Sequence, residues 1–131
     1  MKKLNLIIDD DEINNIFCRF IITKSGLEGH FKSFTNPEEG LEFVIDILRN
    51  KHYDKVILFL DINMPIMTGW DFLKEFEKIF KNQTDIKIYI LSSSISEDDI
   101  SHAKASKYVR DFISKPLSAA TLDKIKEELA V

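Results

Sequence analysis

The chain has 131 residues, 44% hydrophobic and 31% charged, the composition of one globular domain long enough to bury about two-thirds of the surface its unfolded form exposes. Its 18 Lys and Arg against 22 Asp and Glu leave a formal charge of −4, and without a dense basic run a nucleic-acid surface is not expected. No apolar stretch approaches the roughly 18 residues of a membrane span, and the amino-terminal apolar segment stops at Asp9, too soon for a signal peptide, so no membrane contact and a cytoplasmic location are expected.

Lys3 to Ile8 reads as a first strand, followed by the acidic turn Asp9-Asp10-Asp11-Glu12. Ile13, Ile16, Phe17, Phe20 and Ile21 then recur at helical spacing and predict the inner face of a first helix. Cys18, the single cysteine, lies among them and is expected to be a small buried hydrophobe rather than a catalytic thiol. An N-cap and the helix dipole account for one or two of the four acids, not for all of them. The helix ends near Ser25-Gly26, and His30 to Phe34 alternates weakly as a peripheral strand. Asn36, Pro37 and Glu39 form a strong helix start, with Glu39 placed for a capping box, and Leu41, Val44, Ile45 and Leu48 mark the apolar face behind it.

Val56 to Leu60 is an unbroken apolar run that fits a strand buried on both faces of a parallel sheet. Asp61 ends it, and Pro65 and Gly69 force a loop soon after. Trp70, Leu73, Phe76, Ile79 and Phe80 give the next helix its inner face. Ile86 to Leu91 is a fourth strand, ending in Ser92-Ser93-Ser94. Between Glu97 and Lys107 the apolar residues are Ile100, Ala103 and Ala105, so this helix has little to bury and should be held marginally. Val109 to Ile113 is a fifth strand ending in Ser114-Lys115-Pro116, and Leu122, Ile125 and Leu129 stripe a last helix. His30, His52 and His102 lack the spacing of a metal site and are expected on the surface.

Strands alternating with helices predict one α/β domain, a doubly wound parallel sheet of five strands with right-handed crossovers and helices on both faces. In such a sheet the carboxyl ends of the strands share one edge, and ligands bind there. Asp9, Asp10, Asp61, Ser92 and Lys115 all fall on it. Crowded carboxylates repel, which calls for a raised pKa or a bound cation. A hard divalent ion with oxygen ligands, best Mg²⁺, meets that need. Asp61 is then the natural nucleophile toward a phosphoryl group, Lys115 the fixed positive charge and Ser92 the hydroxyl donor. With no general base at hand, turnover of a diffusing organic substrate is not expected. Neither GxGxxG nor GxxxxGK[ST] occurs, against a nucleotide-binding alternative.

Leu6-Ile7-Ile8-Asp9-Asp10-Asp11-Glu12, Leu60-Asp61-Ile62-Asn63-Met64-Pro65 with Gly69, Ile90-Leu91-Ser92-Ser93 and Lys115-Pro116 together resemble the receiver domain of two-component response regulators, in its single-domain, chemotaxis-regulator-like form. The resemblance spans residues 1–131 and implies a flavodoxin-like strand order of 2-1-3-4-5. It further implies that Asp61 accepts phosphate from a phosphohistidine on a sensor histidine kinase or a histidine phosphotransfer protein. Asp9, Asp10, Asp61 and the backbone carbonyl of Asn63 would hold Mg²⁺, Lys115-Pro116 would be a cis peptide, and Ser92 and Phe112 would form the switch toward an unnamed downstream protein. In this chain Ser replaces the commoner Thr at 92, Phe112 lacks the hydroxyl of the commoner Tyr, and the segment from Ala105 to Val109 is about one residue longer than usual. Ser93 or Ser94 could also supply the hydroxyl. With no effector domain before the end at Val131, a stand-alone phosphorelay switch is expected. The rival is an Asp-nucleophile phosphatase, disfavoured because Asn63 stands where such enzymes carry their second acid.

Overall fold

In the computed structural model, which describes residues 1–130, strands and helices alternate along the chain: β1 (Lys3–Ile8), α1 (Glu12–Ser25), β2 (His30–Phe34), α2 (Pro37–Arg49), β3 (Lys55–Asp61), α3 (Gly69–Ile79), β4 (Ile86–Ser92), α4 (Glu97–Ala105), β5 (Val109–Ser114) and α5 (Ala119–Ala130). The strands form one parallel sheet in the order β2-β1-β3-β4-β5. The apolar runs of β1, β3 and β4 take the three central places, where both faces are covered, and the weakly alternating β2 takes an edge. Among the described residues no helix is long and apolar enough to cross a membrane.

Alternate strand residues feed two cores. Leu6, Ile8, Leu58 and Leu60 meet Val44 and Leu48 of α2 and Phe72 and Phe76 of α3, whereas Ile7, Phe59, Tyr89 and Leu91 meet Cys18 and Ile22 of α1 and Leu122 and Ile125 of α5. Phe72 and Phe76 have no exposed surface, and truncating such a side chain to Ala costs about 3–5 kcal/mol. That expense holds α3, and the loop before it, against β3.

The helix faces differ in places from the periodic pattern. On α1 the expected inner residues Ile13, Ile16, Phe17 and Phe20 point outward, 78%, 64%, 39% and 60% exposed, and the inner line is Asn15, Cys18 and Ile22. A hydrophobic stripe reveals an apolar face but not the direction it points. Here a polar tether decides, because Asn15 donates to the backbone carbonyl of Asp9 at 3.0 Å and turns that side of the helix to the sheet. On α3, Phe72 is buried while Ile79 lies out, and on α2, Ile47 is buried where Ile45 is only half-buried. Asn36 caps α2 as expected, but the reciprocal capping box anticipated for Glu39 occurs instead on α3, between Thr68 and Asp71, and on α4, between Ser96 and Asp99. Gly26, at φ 80°, ends α1 in the left-handed conformation that suits glycine.

The thin packing expected of α4 is found: Ala103 is its one buried residue. The long segment before β5 is absorbed by a register shift, since Val109 pairs with Ile88 and Asp111 with Tyr89, leaving Arg110 as the extra residue of a bulge. His30, His52 and His102 are exposed.

Candidate functional site

The sheet register brings the acids together. Ile8 pairs with Leu60, so Asp9 and Asp61, each the next residue, leave neighbouring strands side by side, where strands stand about 4.8 Å apart. Asp61 pairs with Leu91, and Ser92 with Ser114, which sets Ser92 and Lys115 on the same edge. The Lys115 backbone N–H donates to the Ser92 carbonyl at 2.9 Å, and the Asp9 N–H to the Phe34 carbonyl at 3.1 Å. The Lys115–Pro116 peptide is cis.

Only Asp11 is spent as the α1 cap, its carboxylate accepting from the N–H groups of Ile13 and Asn14 at 3.0 and 3.3 Å. Asp10 is exposed, whereas Asp9 and Asp61 are buried, at 0% and 3% exposure. The Asp9 carboxylate accepts from the Asp11 N–H at 2.9 Å and from Asn14 Nδ2 at 2.8 Å, and its Oδ2 also lies 2.8 Å from the Lys115 ammonium. The same ammonium is 3.6 Å from Asp61 Oδ1. Asp61 accepts in addition from the Asn63 N–H at 3.3 Å. Gly69 closes the loop over this point: a Cβ there would come within 2.8 Å of the Asp61 carbonyl oxygen.

Burial first, and then the Asp9 charge, push Asp61 up to about 6 despite the opposing pull of Lys115. Burial by itself would lower the Lys115 ammonium, but the hydrogen bond and charge of Asp9, followed by Asp61, outweigh it and hold the group above its ordinary value. One carboxylate oxygen from each of Asp9, Asp10 and Asp61 lies within 4.8 Å of the others. This all-oxygen set, already repelling, fits a hard divalent cation such as Mg²⁺. Cys18, beneath it in α1, is pushed up to about 11, mainly by burial, so the thiol stays neutral and buried as expected.

Ser92 is buried at the end of β4, while Ser93 and Ser94 are exposed. Its hydroxyl donates to the Ser94 carbonyl at 2.7 Å and accepts from Asn63 Nδ2 at 3.2 Å. Asp9, Asp10, Asp61, Asn63, Ser92 and Lys115 therefore share one edge. Phe112 belongs to a different layer, half-buried against the α2/α3 core. The side chains of Asn14 and Asn15 were not singled out by the sequence, because an amide in the first turns of a helix carries no spacing signal.

Residues 6–127 match the family profile described as response regulator receiver domain. Among curated proteins, the chain is similar to the chemotaxis protein CheY of Thermotoga maritima, 35% identical over 117 residues that cover 88% of each protein. It is also 31% identical over 127 residues to the sensory/regulatory protein RpfC of Xanthomonas campestris pv. campestris, covering 96% of this chain and 16% of that protein. The chain thus spans about a sixth of that relative's length. Among solved structures, a two-component response regulator from Cytophaga hutchinsonii superposes with a TM-score of 0.87 at 28% identity, covering 99% of this chain and 98% of that one.

Proposed function

Because the chain belongs to the response regulator receiver domain family, we propose that it is a phosphorelay switch in which Asp61 accepts a phosphoryl group from a protein phosphohistidine. The observation that carries this reading is the edge cluster itself: a buried Asp61 beside two further acids, with the Lys115 ammonium 3.6 Å away. In the transfer, an Asp61 carboxylate oxygen forms the new P–O bond as the P–N bond to the imidazole breaks, and the imidazole leaves with the bonding pair and takes up a proton. Lys115 turns from Asp9 and Asp61 to the phosphoryl oxygens, and Ser92 exchanges the Ser94 carbonyl for a phosphoryl oxygen. Asp9, Asp10, Asp61 and the Asn63 carbonyl are the groups that would hold Mg²⁺, which when bound neutralises charge on the transferring group. Movement of Ser92 and inward turning of Phe112 would carry the change to the thinly held α4. The phosphorylated state decays by attack of water, past Asn63 and Ser94, without turnover of a diffusing substrate.

The donor is a sensor histidine kinase or a histidine phosphotransfer protein. The outward stripe of Ile13, Ile16, Phe17 and Phe20 supports a protein donor, because it runs along the helix that starts at the acidic turn and leaves four large apolar side chains exposed. The test is incubation with a small phosphodonor and Mg²⁺ followed by intact mass. A stoichiometric, alkali-labile phosphoryl adduct that is missing from Asp61→Asn is the expected result. Rapid hydrolysis of many phosphate esters would replace the switch by a phosphatase.

A further inference from the structure

We propose that Asn14 is the positioning residue for Asp9, fixing the plane of its carboxylate and so setting the affinity of the acidic cluster for a divalent cation. This rests on the reading of the cluster as a Mg²⁺ site. Asp9 is fully buried, so its carboxylate oxygens need donors within the protein. Three are supplied: the Asp11 N–H at 2.9 Å on Oδ1, and Asn14 Nδ2 and the Lys115 ammonium on Oδ2, both at 2.8 Å. Their fates differ. Lys115 also serves Asp61, 3.6 Å away, and leaves Asp9 when a phosphoryl group arrives. Asn14 has no such second duty.

The α1 helix does not need this side chain. Its N-terminus is capped by Asp11, which uses the backbone N–H of Asn14 and not the amide. Asn14 is half-buried, and its amide donates to Asp9 Oδ2 at 2.8 Å. Asn15 completes the arrangement by donating to the Asp9 backbone carbonyl at 3.0 Å. Two consecutive amides therefore grip one residue, one at its main chain and the other at its carboxylate. When Lys115 departs, Asn14 and the Asp11 N–H remain, and the carboxylate cannot turn out of the cluster.

Loss of such a partner behind a metal-binding carboxylate costs about 10- to 100-fold in affinity, and the low end applies here because the Asp11 N–H remains. The experiment is calorimetric Mg²⁺ titration of the unphosphorylated protein, with thermal unfolding in parallel, on wild type, Asn14→Leu and Asn14→Gln. Asn14→Leu should raise the Mg²⁺ Kd about tenfold and, because buried Asp9 loses one donor, lower Tm by a few degrees with unfolding still cooperative, and Asn14→Gln, which keeps the donor, should stay within about threefold of wild type in Kd. With a small phosphodonor, the Mg²⁺ concentration for half-maximal phosphorylation should shift in Asn14→Leu while the rate at saturating Mg²⁺ is retained. A Leu variant that binds Mg²⁺ as wild type does, or a Gln variant as weak as the Leu variant, overturns the proposal alone. A wild type that takes up no Mg²⁺ overturns the metal-site reading and this proposal together.

Discussion

Asn63 Nδ2 stands 3.2 Å from Ser92 Oγ, so the loop leaving β3 already holds the hydroxyl at the end of β4. That hydroxyl is also committed as a donor to the Ser94 carbonyl at 2.7 Å and has to be released before it can serve a phosphoryl oxygen. Ser92→Ala is predicted to slow phosphorylation by a small donor by roughly tenfold, less than the ~10²–10³ of a lone oxyanion donor because Lys115 shares the charge. Asn63→Ala removes one neutral hydrogen bond of about 1 kcal/mol and should change the rate by no more than about fivefold. Stopped-flow phosphorylation of both variants checks the order, which fails if Asn63→Ala is the slower of the two.

A pH dependence follows from Asp61, held at about 6 against an ordinary 3.8. Its folded value lies above its unfolded value, so between these limits the native state binds more protons, and rising pH removes stability. The cost is absent below about pH 4 and complete above about 6, reaching at most about 3 kcal/mol. In chelator at pH 8, Asp61→Asn should therefore be more stable than wild type by roughly 2 kcal/mol, and at pH 4 the two should be nearly equal. Adding Mg²⁺ at pH 8 should stabilise wild type more than the variant. Urea unfolding at both pH values is the measurement, and a variant less stable than wild type at pH 8 contradicts the electrostatic account.

What the sequence made legible, and what it hid, divides along physical lines. Asp9, Asp61 and Ser92 were readable because each follows an apolar run directly, Lys115 because it stands between the Ser114 that ends its strand and Pro116, and parallel strands of similar length must end on one edge. The rotation of α1 was not readable. Cys18 and Ile22 make a poor apolar line beside Ile13, Ile16, Phe17 and Phe20, and the deciding contact, from Asn15 to the Asp9 carbonyl six residues earlier, is a side-chain hydrogen bond with no periodic signature. The bulge at Arg110 was visible as an extra residue, but only pairing with Ile88 and Tyr89 shows that β5 takes it up.

The same rotation supplies a prediction. Phe17 and Phe20 are 39% and 60% exposed, so Phe17→Ser and Phe20→Ser should alter stability by no more than about 0.5 kcal/mol. If the stripe docks the donor, each should slow transfer from a phosphohistidine protein by about tenfold, the loss of an interface anchor worth roughly 1–2 kcal/mol. Phosphorylation by a small donor should not change. Parallel rate measurements with the two kinds of donor separate docking from chemistry, and an equal loss with both would place the effect in the site.

The α4 helix is moored by few side chains. This helix buries only Ala103, and Trp70 meets it twice, with its ring 5.1 Å from that of His102 and its indole N–H at the first turn. Trp70 Nε1 donates to Asp99 Oδ1 at 3.0 Å, while the other Asp99 oxygen accepts from the Ser96 N–H at 2.9 Å and closes the capping box. The Ser96 N–H first, with the Trp70 donor also contributing, holds the Asp99 carboxyl below its ordinary value. Trp70 follows Gly69, which is pressed against the Asp61 carbonyl, so the loop after Asp61 and α4 share one link. Trp70→Phe keeps the ring and loses the donor, a hydrogen bond to a charged group worth about 1.5–3 kcal/mol when fully shielded and less at this partly exposed position. Amides of α4 should then exchange with solvent about five- to tenfold faster while those of β4 do not change. Asp99→Ala, which also removes the cap, should loosen α4 by about a further 1 kcal/mol. Hydrogen exchange read residue by residue decides the point: unchanged α4 protection in both variants means that the helix is held by something other than this link.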